Sequence, residues 1–163
     1  MPFCDPIFAG EILKAKMSNM IKVTITINQP AEKVWELFMN SDNLQYWLTG
    51  FVSAEHLSGN IGEAGSVSKL KFMERGKVME VTETVLIAKP NQQYAFMMKH
   101  KTFETETDIR FISFGQRTEM IQTVQFSPKG FFMKLLMPIV KGAMKKRMAN
   151  ELFSFKNFAE TKS

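Results

Sequence analysis

The chain has one cysteine in 163 residues, Cys4, which excludes an internal disulfide and leaves no thiol companion for a metal. That scarcity suits a reducing compartment. Histidine is almost as scarce: His56 and His100 stand alone, with none of the His/Glu spacing of a metal site. A nucleophile elbow, a phosphate loop and a dinucleotide fingerprint are also missing, so no catalytic motif, cofactor or metal site is expected. No apolar run approaches the roughly 20 residues that span a bilayer. Residues 1–19 lack a basic n-region, and Asp5 and Glu11 interrupt their apolar stretches, so they do not read as a signal peptide. A cytoplasmic location is expected.

What is present is a globular composition. Apolar residues make up 45% and charged residues 23%, near the norm for a folded domain, and the length suits one domain rather than two. Thirteen Met and fifteen Phe stand out. Phe is bulky core material, whereas Met is flexible and fits either an irregular core or the wall of a pocket. The net charge of +5 is lopsided: residues 129–163 carry eight Lys or Arg against two acids. The basic character therefore belongs to the end of the chain. No nucleic-acid recognition motif accompanies it, so a solvated basic helix face is the favoured reading and a membrane- or acid-binding surface the alternative.

Residues 1–19 read as an accessory or poorly ordered extension with a short helix over Ala9–Met17, and residues 20–160 as the single domain. From Ile21 to Ile27 apolar residues fall at every second position, the pattern of a half-buried strand. Pro30 suits the opening of a helix, and Ala31, Val34, Trp35 and Phe38 share one face of it. Ser41 suits the cap of a second short helix ending near Trp47. Strand-like runs follow at Phe51–Leu57, Val67–Arg75, Val78–Ile87, Tyr94–Lys101, Phe103–Phe114 and Thr118–Phe126. Short turns between them imply an antiparallel meander.

After Gly130 the period becomes helical to about Ala159. Met133, Met137, Val140, Met144, Met148, Leu152, Phe155 and Ala159 form one stripe, and Pro138 is expected to kink or divide the run. The expectation is an α+β fold of order β-α-α-β6-α, with a seven-stranded antiparallel sheet covered by a long C-terminal helix.

Parity selects the inward side chains. Tyr94, Phe96, Met98 and His100 share one strand face; Thr105, Thr107, Ile109 and Phe111 share the next; Met120, Gln122, Val124 and Phe126 the last. With Met137, Val140, Met144 and Met148 from the helix they make an apolar wall with a few polar points, as a small-molecule pocket or a filled core would have. Cavity volume separates the two. The candidate ligand-binding residues are Tyr94, Phe96, Met98, His100, Thr107, Ile109, Phe111, Met120, Gln122, Val124, Met137, Val140, Met144 and Met148. His100 is the weak candidate for catalysis. Glu80 and Glu83 lie on opposite strand faces, so one of them points inward and is a candidate acid or base.

The strand leading into Pro30-Ala-Glu-Lys-Val-Trp35, then Trp47, the Gly62–Gly65 region, Pro90, and Ser127-Pro-Lys-Gly130 before a long helix resemble the START-related, birch-pollen-allergen-like superfamily (SRPBCC). Within it the chain is similar to the polyketide cyclase/dehydrase and lipid-transport-like proteins, over about residues 20–160. The resemblance implies a helix-grip fold, a sheet curved around the C-terminal helix with a hydrophobic cavity between them. It implies activities from carriage of lipids or hormones to ring closure of polyketides.

The reading favoured is binding, with transport or sequestration, of a small hydrophobic or lipid-like molecule. The alternatives are a cyclase/dehydrase-like enzyme using an inward His or Glu, and a membrane- or protein-docking module using the basic helix. A weak membrane-surface contact would run through Lys134, Lys141, Lys145 and Lys146, beside the apolar Phe131, Phe132, Leu135 and Leu136. No nucleic-acid partner is expected, and the oligomeric state is left open.

Overall fold

Alternation in β1 (Met20–Ile27) buries Ile21 and Ile27 and leaves Lys22, Thr24 and Thr26 in solvent, so one face of the strand demands cover. The computed structural model describes residues 19–162. The expected extension and its Ala9–Met17 helix therefore lie outside the described residues. After β1 come helix α1 (Ala31–Met39), a 3-10 turn (Ser41–Asn43) and helix α2 (Leu44–Trp47). Strands β2 (Phe51–Ser58), β3 (Val67–Glu74), β4 (Lys77–Lys89), β5 (Gln93–Lys99), β6 (Phe103–Ser113) and β7 (Thr118–Pro128) follow. The described chain closes with helices α3 (Phe131–Leu135) and α4 (Met137–Glu160).

Two local details differ from expectation. Pro30 caps α1 from outside and Ala31 opens it. Asn40, not Ser41, caps the following turn, its side chain accepting the Asp42 N–H at 3.0 Å. Pro138 does divide the helical run. It sits in the first turn of α4, where its missing N–H has no intrahelical partner to lose.

All seven strands pair antiparallel in the order β1-β7-β6-β5-β4-β3-β2. This is a helix-grip fold: the sheet's inner face wraps α4, about 36 Å long by its 24 residues. The C-terminal half of α4 is anchored in the core. Leu152, Phe155 and Ala159 are fully buried, and Phe38 of α1 packs edge-on to Phe155 at 5.6 Å and stacks on Trp47 at 5.4 Å. Beyond the core, Lys156 Nζ donates to the Thr26 carbonyl at 2.6 Å, and the Asn28 N–H donates to Glu160 Oε1 at 2.8 Å. These contacts fix the end of α4 on the β1–α1 corner, while its other half runs over open sheet.

The strand register explains what stays open. Successive rows of inward residues cross the sheet. The row nearest α1 is Ile25–Met120–Phe111; next come Val23–Gln122–Ile109–Tyr94, then Ile21–Val124–Thr107–Phe96–Val85, then Phe126–Thr105–Met98–Glu83–Ser68. Trp35 and Phe38 fill the space over the first row, with ring centroids 5.4 and 5.6 Å from Phe111. Over the later rows the helices reach the sheet only locally, Phe38 at Tyr94 and Met148 at Ile21 and Val124.

Candidate functional site

The three later rows, roofed by the N-terminal half of α4, enclose a cavity of about 600 Å³, inside the range of about 300–1,000 Å³ for small-molecule sites. Of the residues singled out by parity, Tyr94, Phe96, Met98, Thr107, Ile109, Gln122, Val124, Val140, Met144 and Met148 line it. Four do not. Phe111 and Met120 face inward but lie under α1, in the filled row. Met137 is buried at the start of α4, off the wall.

His100 is the fourth. Strand β5 ends at Lys99, so strand parity no longer governs it. It lies in the β5–β6 turn, Nδ1 2.8 Å from Thr102 Oγ1, its ring 4.9 Å from that of Phe103. Partial desolvation, then the charges of Lys101 and Lys129, hold the imidazole below its ordinary range. It lies off the cavity wall, behind Phe103, which is on it.

The carboxyl group on the wall is Glu83. Glu80 points outward, its Oε1 3.2 Å from Lys71 Nζ. Glu83 shares parity with Met79, Val81 and Val85, which all line the cavity. Burial pushes its carboxyl from 4.5 up to about 7, against a hydrogen bond from Tyr94 that favours the charged form. Among the described residues, no cation offsets the desolvation. The same burial, then the neighbouring carboxylate, raises the Tyr94 phenol. Ser68, directly opposite Glu83 on β3, and Thr105 in the same row add hydroxyls to the wall. The Gln122 amide lies across the sheet on β7. Polar groups are thus few and spread over a mainly apolar surface.

Sequence reasoning named Glu83 only as one of a pair and missed Phe72, Phe103 and Arg147. The valines flanking Glu83 at 81 and 85 carried the signal that it faces in. Arg147 borders the cavity where α4 meets β3. It pairs with Glu74, donates from Nε to Glu151 Oε1 at 2.9 Å and from Nη2 to the Thr49 carbonyl at 2.6 Å. Its guanidinium lies 5.8 Å from the Phe72 ring centroid. The cluster ties helix, sheet and the α2–β2 loop together at one side of the cavity. Exposed Arg75 and Ile61 are also on the wall, so the space reaches the surface.

Among the described residues, no group of three or more His, Cys, Asp or Glu is placed to hold a metal ion. No described helix is long and apolar enough to cross a membrane.

A family model described as polyketide cyclase/dehydrase and lipid transport matches residues 20–158. No curated protein matches the chain. Several solved structures do. An aromatase/cyclase from Streptomyces sp. R1128 is 15% identical, with a TM-score of 0.74 over 86% of this chain and 93% of that one. A START superfamily protein from Mycobacterium smegmatis is 15% identical, with a TM-score of 0.73 over 88% and 99%. A protein of Thermus thermophilus is 18% identical, with a TM-score of 0.74 over 88% and 99%. At these identities the likeness is one of fold.

Proposed function

The chain belongs to the polyketide cyclase/dehydrase and lipid transport family, and from that premise we propose that it binds a small, largely apolar molecule between the sheet and α4, to carry or sequester it. The observation that carries this reading is the open space of about 600 Å³ under α4, walled by Phe, Met, Val, Ile and Leu side chains. A filled core would close such a space, since packed interiors leave few voids larger than a water molecule. Each methylene of a ligand buried there contributes about 0.8 kcal/mol before association costs. Glu83, Tyr94 and Ser68 offer one polar station for a hydroxyl or carbonyl on an otherwise apolar molecule.

Native mass spectrometry of the purified protein tests this directly, by looking for a co-purifying small molecule. Displacement of an apolar fluorescent probe is the second assay. Met144→Trp fills the cavity from the helix side and should abolish probe binding with the circular dichroism spectrum unchanged. Undiminished binding by a folded Met144→Trp protein sinks the proposal.

A second reading, enzymatic proton transfer of the cyclase/dehydrase kind, is favoured by Glu83 alone. An acid half-ionised near neutral pH in a mainly apolar wall is suited to give and take protons. Glu83→Gln separates the two readings. A binder keeps its probe affinity within a few-fold, whereas an enzyme loses turnover of its substrate while still binding it.

A further inference from the structure

The antiparallel order puts three connections at one end of the sheet: the β3–β4 turn at Arg75 and Gly76, the β5–β6 turn at His100–Thr102, and the exit from β7 at Lys129 and Gly130. Helix α1 follows β1 at the opposite end, and the α2–β2 loop returns the chain to this one, where the Gly50 carbonyl accepts the Met73 N–H at 2.7 Å. At the first end, four large apolar side chains within nine residues stand in solvent. Phe131 is 82% exposed, Phe132 72%, Leu135 66% and Ile139 73%. Single exposed apolar residues are ordinary; four clustered across one helix junction mark a contact surface.

We propose that this end of the molecule docks on an anionic lipid bilayer, with the α3–α4 junction inserted at the headgroup boundary.

The charge around the patch selects that partner. Arg75, Lys77, Lys99, Lys101 and Lys134 all belong to this end and all are exposed. The acids that border it, Glu74 and Glu104, are already paired with Arg147 and Lys129. Apolar side chains ringed by cations match the chemistry of interfacial anchors on anionic lipid. A second copy of the chain fits less well. An isologous dimer through the same patch would set one ring of cations against the other, which opposes association.

The expected ridge Lys134, Lys141, Lys145 and Lys146 is only partly in place for this contact. Lys134 lies within the patch, whereas Lys145 and Lys146 stand about 9 Å or more further along α4 than Ile139. The turn cations Lys77, Lys99 and Lys101 take the role that the helix alone was expected to play. The segment also has a second face. Met133, Val140 and Met144 line the cavity, so a docked protein holds its cavity wall against the membrane. Docking stands on the surface alone and does not depend on what the cavity holds.

The test is co-sedimentation with vesicles of phosphatidylcholine alone and of phosphatidylcholine with phosphatidylglycerol. The unmodified protein should pellet with the anionic vesicles and be released by salt. Lys101→Gln and Lys134→Gln should each lower the partition constant roughly fivefold, and Phe132→Asp with Leu135→Asp should abolish pelleting. All four positions are exposed, and an unchanged circular dichroism spectrum shows that the variants remain folded. Phe132→Trp should show a blue-shifted emission on binding. The proposal is overturned if pelleting is equal on neutral vesicles, or if the charge variants pellet like the parent. Analytical ultracentrifugation covers the remaining occupant: a dimer dissociated by Leu135→Asp, without vesicle binding, replaces the membrane with a second copy.

Discussion

Replacing Glu83 by glutamine measures what the cavity charges for an ionised group. The carboxyl titrates near 4.5 in an unfolded chain and burial raises it to about 7 in the folded one. At about 1.4 kcal/mol per pH unit, a displacement of that size amounts to roughly 3 kcal/mol. Below about pH 4.5 the group is neutral in both states and the cost is absent. Between about 4.5 and 7 the unfolded chain releases its proton while the folded one keeps it, so stability falls as pH rises. Above about 7 the folded protein carries a buried carboxylate and the full cost.

Glutamine cannot ionise, so Glu83→Gln should track the parent in acid and exceed it progressively toward pH 8. The Gln amide also needs partners, and Tyr94 and the Ser68 hydroxyl are at hand. Any mismatch there shifts the whole curve by a constant and leaves its pH dependence intact. The assay is urea unfolding at a series of pH values, with the difference between the two proteins plotted against pH. In a domain of this size the gain at high pH corresponds to roughly 2–4 °C of Tm per kcal/mol. A difference that stays flat from about pH 4.5 to 8 refutes the argument, because it would mean that Glu83 titrates alike in both states.

Tyr94→Phe removes the hydrogen bond that favours the Glu83 carboxylate, so the Glu83 midpoint should move further up; carbon-13 NMR of the carboxyl reads it, and a downward move contradicts the assignment. Phe155 is fully buried against Phe38 and Trp47, at 5.6 and 5.2 Å between ring centroids. Phe155→Ala should cost about 3–5 kcal/mol in urea unfolding, and a loss below about 1 kcal/mol would show that α4 is not anchored there. Gly50 has φ +72°, and a Cβ on it would lie 2.6 Å from the Met73 carbonyl oxygen. Gly50→Ala should therefore destabilise by about 1 kcal/mol or more, and a neutral result would mean that the α2–β2 loop shifts freely.

Much of the fold was legible because period two and period 3.6 report which way a side chain points. The β1 alternation, the inward sets of β5, β6 and β7 and the Met stripe of α4 all follow from direction alone. Direction does not report depth along a strand. Met120 and Gln122 are two residues apart on one face of β7, yet Met120 is in the filled row and Gln122 faces the cavity. His100 lies off the wall for a related reason, since parity cannot say that β5 stops at Lys99.

Depth left a fainter trace in the residue types. The row filled by Trp35 and Phe38 is wholly apolar, Ile25, Met120 and Phe111, because a close-packed contact leaves a polar atom without partners. Each row beyond it carries inward polar groups: Tyr94 and Gln122, then Thr107, then Thr105, Glu83 and Ser68. A polar side chain persists on the concave face of such a sheet where water or a ligand can reach it. Thr118 shares that parity and is fully buried, but its hydroxyl donates to the Gln29 carbonyl at 2.8 Å, so an inward polar residue marks the cavity only where the core supplies it no such partner; past Met120, Gln122 is the first inward polar residue of β7 and it lines the cavity.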